Sequence, residues 1–199
     1  HFDIEIKMHS LDKWFEVGGV HYRTNHDLSS HEKESGVSMT IQDEARQEKV
    51  LPHVLELSFG INRHLYAIID QTTQFNTENN QITMHMSPRL SSMSVAILPL
   101  MNKEPLTKVA QELKELFVEE DIEVVVETSG SVGKRYARQD EIGTPYCLTI
   151  DYETIEEGDN KNTITIRNRD TTEQKRVHKD KIVDVIKKLL KEKLTFEEL

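Results

Sequence analysis

The chain has 199 residues, which fits one large domain or two small ones and leaves enough length for a real core. Charged residues make up 30% and hydrophobic residues 36%, a soluble globular balance rather than that of a disordered tail. The net charge of −10 excludes a protein that holds nucleic acid by bulk attraction, while leaving room for a local basic face.

Phe2, Ile4 and Ile6 alternate with Asp3 and Glu5, which predicts a strand. The start "HFDIEIKMHS" lacks the charged-then-apolar pattern of a signal peptide and an initiator Met, which fits a fragment or a processed product. "KWFEVGGV" (13–20) reads as a second strand, and Asn25–Ser35 as a short polar helix. "HVLELSF" (53–59) is a third strand, ended by Gly60. "INRHLYAIID" (61–70) then reads as a helix with Ile61, Leu65 and Ile68/Ile69 on one side. The polar run 71–81 is expected to be a hairpin connection or surface loop, with "ITMHM" (82–86) returning as a strand. Pro and Ser cluster in "SPRLSS" (87–92), which marks the boundary between a first domain, 1–90, and a second, 91–199.

The second domain alternates strand and helix. "MSVAILPL" (93–100) is an apolar run suited to a strand covered on both faces. Leu106, Val109, Ala110, Leu113, Leu116 and Phe117 follow helical spacing. "IEVVVE" (122–127) is a strand, and Ser131–Ile142 a helix stopped by Gly143. "YCLTIDY" and "NTITIRN" are strands flanking an acidic turn at 158–160, and Ile182–Leu190 closes the chain with an amphipathic helix. Cys147 is the only cysteine, so an internal disulfide is excluded and a reducing compartment fits. No apolar run approaches the roughly 18 residues of a membrane span.

Two segments can carry chemistry. In strand 53–59, Val54, Glu56 and Ser58 share one face, and Leu55, Leu57 and Phe59 share the other. The Leu/Phe face is expected in a core. The opposite face offers a carboxylate beside a hydroxyl, which suits an ammonium group. The following helix start with Arg63 suits an anion such as phosphate. A half-buried strand with a solvated polar face would show the same pattern. The second segment is Ser129–Cys147, "SGSVGKRYARQDEIGTPYC", where Lys134, Arg135 and Arg138 gather between glycines on an acidic chain. These cations form either a phosphate contact or a solvated helix face neutralised by Asp140 and Glu141. His21, His26 and His31 recur every five residues, which matches no helical ligand spacing, and no metal site is expected.

Taken together, these segments resemble the glycyl-tRNA synthetase family, of the dimeric archaeal and eukaryotic type. "PHVLELSFGINR" is similar to the family's third class II signature, Pro-x-Val-Ile-Glu-Pro-Ser-Phe-Gly-Ile-Gly-Arg. "KWFEVGGVHYRTNHDLSSH" is similar to Gly-Trp-x-Glu-x-x-Gly-x-x-x-Arg followed by Tyr-Asp-Leu-x-x-His. "SGSVGKRYARQDEIGTPYCLTID" matches Ser-Gly-Ser-Ile-Gly-Arg-Arg-Tyr-Ala-Arg-x-Asp-Glu-Ile-Gly-x-Pro and then Thr-Ile-Asp, and "TITIRNRDTTEQKRV" a later family segment. The likeness runs in consistent order from about residue 1 to 180.

The resemblance implies an α+β protein: the end of a class II antiparallel-sheet catalytic domain, then an α/β anticodon-binding domain with a mixed sheet flanked by helices. It implies ATP-dependent ligation of glycine to tRNA(Gly) through a glycyl-adenylate, with Mg²⁺, in a cytoplasmic homodimer away from membranes. Glu16, Glu56 and Ser58 match the glycine-binding residues, and Arg63 the ATP-binding arginine. Arg63 and Arg23 would be the catalytic pair, and Lys134, Arg135, Arg138, Arg167 and Arg169 the tRNA contacts. Three positions depart from the pattern: Leu57 stands for Pro, Asn62 for Gly, and Tyr22 for Asp or Asn. The first two class II signatures, which build the dimer interface and supply a second ATP-binding arginine, are not seen in the sequence, so this chain alone is expected to be incomplete for catalysis. The alternative is a non-catalytic synthetase relative that binds nucleic acid or assists a polymerase.

Overall fold

The computed structural model describes residues 1–199, which form two compact units, His1–Gln71 and Thr72–Leu199.

In the first unit β1 (Phe2–Met8) pairs antiparallel with β2 (Lys13–Thr24). Helix α1 (His26–Ser35) ends at Gly36 in the left-handed region. A small hairpin, β3 (Ile41–Asp43) with β4 (Glu48–Val50), precedes β5 (Val54–Phe59), which pairs antiparallel with β2. The sheet order is β1-β2-β5. Helix α2 (Ile61–Thr72) starts directly after Gly60.

The core of this unit is small: Met8, Val17 and Ala67 are buried, with Ile6 and Phe15 packed beside them. Tyr66 meets the Phe15 ring edge-on at 5.8 Å. Asp70 ties α2 to the β1–β2 turn by accepting from the backbone N–H of His9 at 2.7 Å and Ser10 at 2.8 Å. The Ser10 side chain foremost, then these backbone bonds, hold its carboxyl down at about 2 against the opposing effect of burial.

One expectation fails here. Leu55, Leu57 and Phe59 share a face as predicted, yet they are 64%, 65% and 55% exposed. Alternation tells which side chains share a face, and cannot tell whether another layer covers it. Likewise α2 packs through Tyr66 and Ala67, while Ile61 and Leu65 stay exposed.

The second unit opens with the hairpin β6 (Thr73–Asn76) and β7 (Gln81–Met84), which is tied to later residues of the same unit. Gln81 donates to Asp140 at 3.2 Å, and His85 pairs with Asp170 at 2.7 Å. The break between units therefore precedes the Pro/Ser cluster at 87–92. Next come β8 (Val95–Pro99), α3 (Leu106–Glu119), β9 (Val124–Val126), α4 (Val132–Glu141) and β10 (Tyr146–Ile150). The short α5 (Tyr152–Ile155), β11 (Thr163–Asn168), β12 (Gln174–His178) and α6 (Lys179–Leu190) complete the unit.

The mixed sheet runs β12-β11-β10-β8-β9. β8 is parallel to β9 and β10, and β11 antiparallel to β10 and β12. β8 and β10 are buried along their whole length, as their continuous apolar runs require. On one face, α3 and α6 contribute Leu106, Leu113, Phe117, Ile182 and Ile186 to a core with Ile97, Leu148 and Ile164. On the other, Ala96, Leu98 and Cys147 pack with Tyr136 of α4. Burial pushes the Cys147 thiol up to about 12, so it is an inert packing group.

Gly143 ends α4 at φ +82°, and a Cβ there would lie 3.3 Å from the Met84 carbonyl oxygen. Only glycine takes this conformation without strain at such close range. The predicted strand "YCLTIDY" stops at Ile150. Asp151 instead caps α5 through a capping box with Thr154.

Candidate functional site

The first unit brings its matched residues to one face of the three-stranded sheet. Ser58 pairs with Gly19, and Glu56 with His21. Plain alternation from Gly19 would send Glu16 to the opposite face. A register shift between Ile4 and Glu5 passes over Val17, so Gly18 pairs with Ile4 but Glu16 pairs with Glu5. That extra residue carries Glu16 onto the face of Ser58 and Glu56. Gly19 clears space beside Ser58: a Cβ there would fall 2.2 Å from the His21 ring.

Each carboxylate has a guanidinium partner. Arg63, in the first turn of α2, lies 3.3 Å from the Glu16 carboxylate and donates to the Glu16 carbonyl at 2.9 Å. Its guanidinium also sits 5.5 Å above the Phe15 ring. Arg23 reaches Glu56 at 3.0 Å while its other nitrogens fork onto Asp27 at 2.5 and 2.8 Å. Asp27 foremost, then Glu56, holds the Arg23 guanidinium above its ordinary range. These groups are open to solvent: Arg23 and Glu56 side chains are 38% and 36% exposed, Arg63 and Glu16 49% and 50%. Carboxylates and a hydroxyl on this face can accept from an ammonium, and the guanidinia can hold a carboxylate or phosphate.

Two residues of this face escaped the sequence reading: His21, whose ring covers Gly19, and Asp27, which fixes Arg23. The signal for Asp27 was present as its i,i+4 spacing from Arg23 across the start of α1. Of the three departures, Leu57 lies on the exposed apolar face, Asn62 in the first turn of α2, and Tyr22 bonds to His53. No three His, Cys, Asp or Glu side chains converge on a metal-sized site.

In the second unit the five predicted tRNA-contacting cations separate into two groups. Arg135 is only 2% exposed and donates to the carbonyls of Pro99 at 2.6 Å, Glu127 at 3.0 Å and Leu100 at 3.2 Å. Arg167 forks onto Asp140 at 2.8 and 3.0 Å and lies 4.8 Å over the Tyr136 ring. Arg169 donates to the carbonyls of Gly143 at 2.7 Å and Met86 at 2.9 Å, and pairs with Asp170. These three arginines hold the fold. Most of their donors are used inside the protein, Arg135 Nε alone being buried without a partner, so little of these three side chains faces outward. Lys134 and Arg138 remain on the exposed side of α4, with Arg138 forked onto Glu127 at 2.6 and 3.1 Å.

Comparison with known proteins agrees with this architecture. The anticodon binding domain family matches residues 94–189. Over 160 residues the chain is 42% identical to a glycine–tRNA ligase of Methanothrix thermoacetophila, covering 79% of this chain and 27% of that protein. The ligase of Bifidobacterium longum is 37% identical over 201 residues, 97% of this chain and 40% of its own length. That of Thermococcus sibiricus is 40% identical over 190 residues, 94% of this chain and 32% of its own. The chain thus spans between about a quarter and two-fifths of the length of these relatives. Residues 94–189 thus match the anticodon binding domain family, on a chain that over most of its length is similar to glycine–tRNA ligases.

Proposed function

We propose that this chain is part of a glycyl-tRNA synthetase: the end of a class II catalytic domain, followed by the domain that binds the anticodon region of tRNA(Gly). The observation that carries the reading is the convergence of Glu16, Ser58 and Glu56 on one sheet face, with Arg23 and Arg63 bridging to the carboxylates. Glycine is a zwitterion, and this face offers both acceptors and cations. Glu16, Glu56 and Ser58 would accept from its ammonium. Arg63 would hold ATP phosphate, and Arg23 would steady charge as the glycine carboxylate attacks the α-phosphate. Gly19 keeps the strand opposite Ser58 free of a side chain, since a Cβ there would run into the His21 ring. Mg²⁺ would arrive with the nucleotide, since that ion leans on substrate phosphates and one or two carboxylates. No residue of this chain is assigned to it. The complete enzyme would be a cytoplasmic homodimer. No helix of the chain is long and apolar enough to cross a membrane.

The test is Glu56→Gln in the full-length protein, read by glycine-dependent exchange of pyrophosphate into ATP. Loss of one charge-assisted hydrogen bond costs about 1.5–3 kcal/mol, so the KM for glycine should rise at least about tenfold while the KM for ATP holds. An unchanged glycine requirement would return Glu56 to a solvated strand position.

A further inference from the structure

The two faces of the second unit's sheet differ in charge and in shape. Helix α4, with exposed Lys134 and Arg138, covers the face of Ala96, Leu98 and Cys147. Helices α3 and α6 cover the opposite face. Between them lies a cavity of about 250 Å³ floored by Val109, Leu113, Leu116 and Val183. Leu116 is 46% exposed, a large apolar side chain left open beside a groove. The rim is acidic: Glu112, Glu119, Glu120 and Asp180 line it against the single amine of Lys179. Glu120 is neutralised by Lys187 at 2.5 Å, while Glu112 and Glu119 form no ion pair within the chain. Their carboxylates stand at the groove edge without a cation.

We propose that the α3/α6 groove is a docking site for a basic amphipathic helix of a partner protein, on the side of the domain away from α4. The apolar floor runs along one stripe of α3 at i, i+4 and i+7 (Val109, Leu113, Leu116), the spacing that receives the apolar face of a second helix. The unpaired carboxylates select lysine or arginine on the flanks of that helix and repel phosphate. This charge pattern excludes RNA from the groove. Because the sheet separates the groove from α4, a partner here would not compete with a ligand on the α4 surface.

The test uses the full chain and a fluorescein-labelled amphipathic peptide of about 14 Leu and Lys residues, with Leu at i, i+3, i+4 and i+7. Controls are the same composition scrambled to destroy the stripe, and a Leu/Glu counterpart. At about 150 mM salt, where surface charge alone is screened, the striped basic peptide should bind at least about tenfold more tightly than either control. Leu116→Asp and the pair Glu112→Lys/Glu119→Lys should each weaken it by about tenfold, and amide shifts should map to 109–120 and 179–183. The proposal is overturned if the scrambled peptide binds equally, if Leu116→Asp leaves affinity unchanged, or if the shifts lie elsewhere. It is also overturned if sedimentation shows the chain self-associating through the groove in a manner abolished by Leu116→Asp, which would give the site to a second copy.

Discussion

Asp140→Asn would break the buried pair that joins α4 to β11, and its cost can be worked out from the contacts. Asp140 and Arg167 side chains are 2% and 9% exposed, and two parallel hydrogen bonds of 2.8 and 3.0 Å link them. Removing one partner from such a pair leaves an uncompensated buried charge and costs about 3–5 kcal/mol. The Arg167 contact with the Tyr136 ring is present with either residue at 140 and cancels, so a loss of about 3 kcal/mol or more is expected. Gln81, which also donates to Asp140, would lose its carboxylate acceptor and add a little more. Because the chain has two compact units, the assay should report on the second alone. Amide hydrogen exchange in β10 and β11 does so, and about 3 kcal/mol corresponds to protection falling by more than about a hundredfold. The double replacement Asp140→Leu/Arg167→Met should recover most of that loss, because an apolar pair of similar volume needs no desolvation of charge. A loss below about 1 kcal/mol for Asp140→Asn, or no recovery in the double variant, would refute the architectural role assigned to Arg167.

In the first unit, Asp70 gives a pH signature. Its carboxyl is held at about 2 against an ordinary 3.8, so its stabilisation is full above the unfolded value and is lost as pH falls from about 4 through about 2. Fluorescence of Trp14, the only tryptophan, should show an acid transition in that window that Asp70→Asn removes, together with lower stability at neutral pH. Glu56→Gln, by contrast, alters a surface pair 36–38% exposed and should change stability by less than about 1 kcal/mol, so that any loss of glycine use reports on the pocket.

Much of the framework was legible in the sequence because two periodicities carry it. Alternation marked β1 and β5, continuous apolar runs marked β8 and β10, and 3.6-residue spacing marked α3 and α6. The β3–β4 hairpin and β12 were not legible. "IQD", "EKV" and "QKRVH" are short or polar and have no apolar stripe to reveal them. Helix α5 was hidden because its start depends on one side chain, Asp151, folding back on Thr154. In the candidate site, the residue types and the shared face of Glu56 and Ser58 could be read directly. The place of Glu16 could not, because it depends on a register shift that strand alternation cannot foresee. The burial of the arginines was hidden for a similar reason. Arg167 and Asp140 are 27 residues apart, and no local pattern says that one neutralises the other.

The burial of Arg135, Arg167 and Arg169 changes what kind of RNA contact the second unit can make. The five-cation patch expected from the sequence reduces to Lys134 and Arg138 on α4, and Arg138 is shared with Glu127 at 2.6 Å and the Ser129 carbonyl at 2.8 Å. Two phosphate contacts release about two counterions, which for a single-stranded loop gives a salt slope of about −1.4. That is too shallow to hold RNA by charge alone on a chain of net charge −10. On the proposed function, RNA affinity at this surface would have to come chiefly from contacts other than phosphate pairing, with α4 setting position. Lys134→Ala/Arg138→Ala in the full-length protein should therefore slow tRNA charging several-fold and flatten the salt dependence of tRNA binding by about 1.4, while leaving glycine-dependent pyrophosphate exchange and second-unit amide protection intact. An unchanged salt slope with a sound fold would show that α4 does not meet RNA. A collapse of amide protection would show that Arg138, through Glu127, is a fourth architectural arginine.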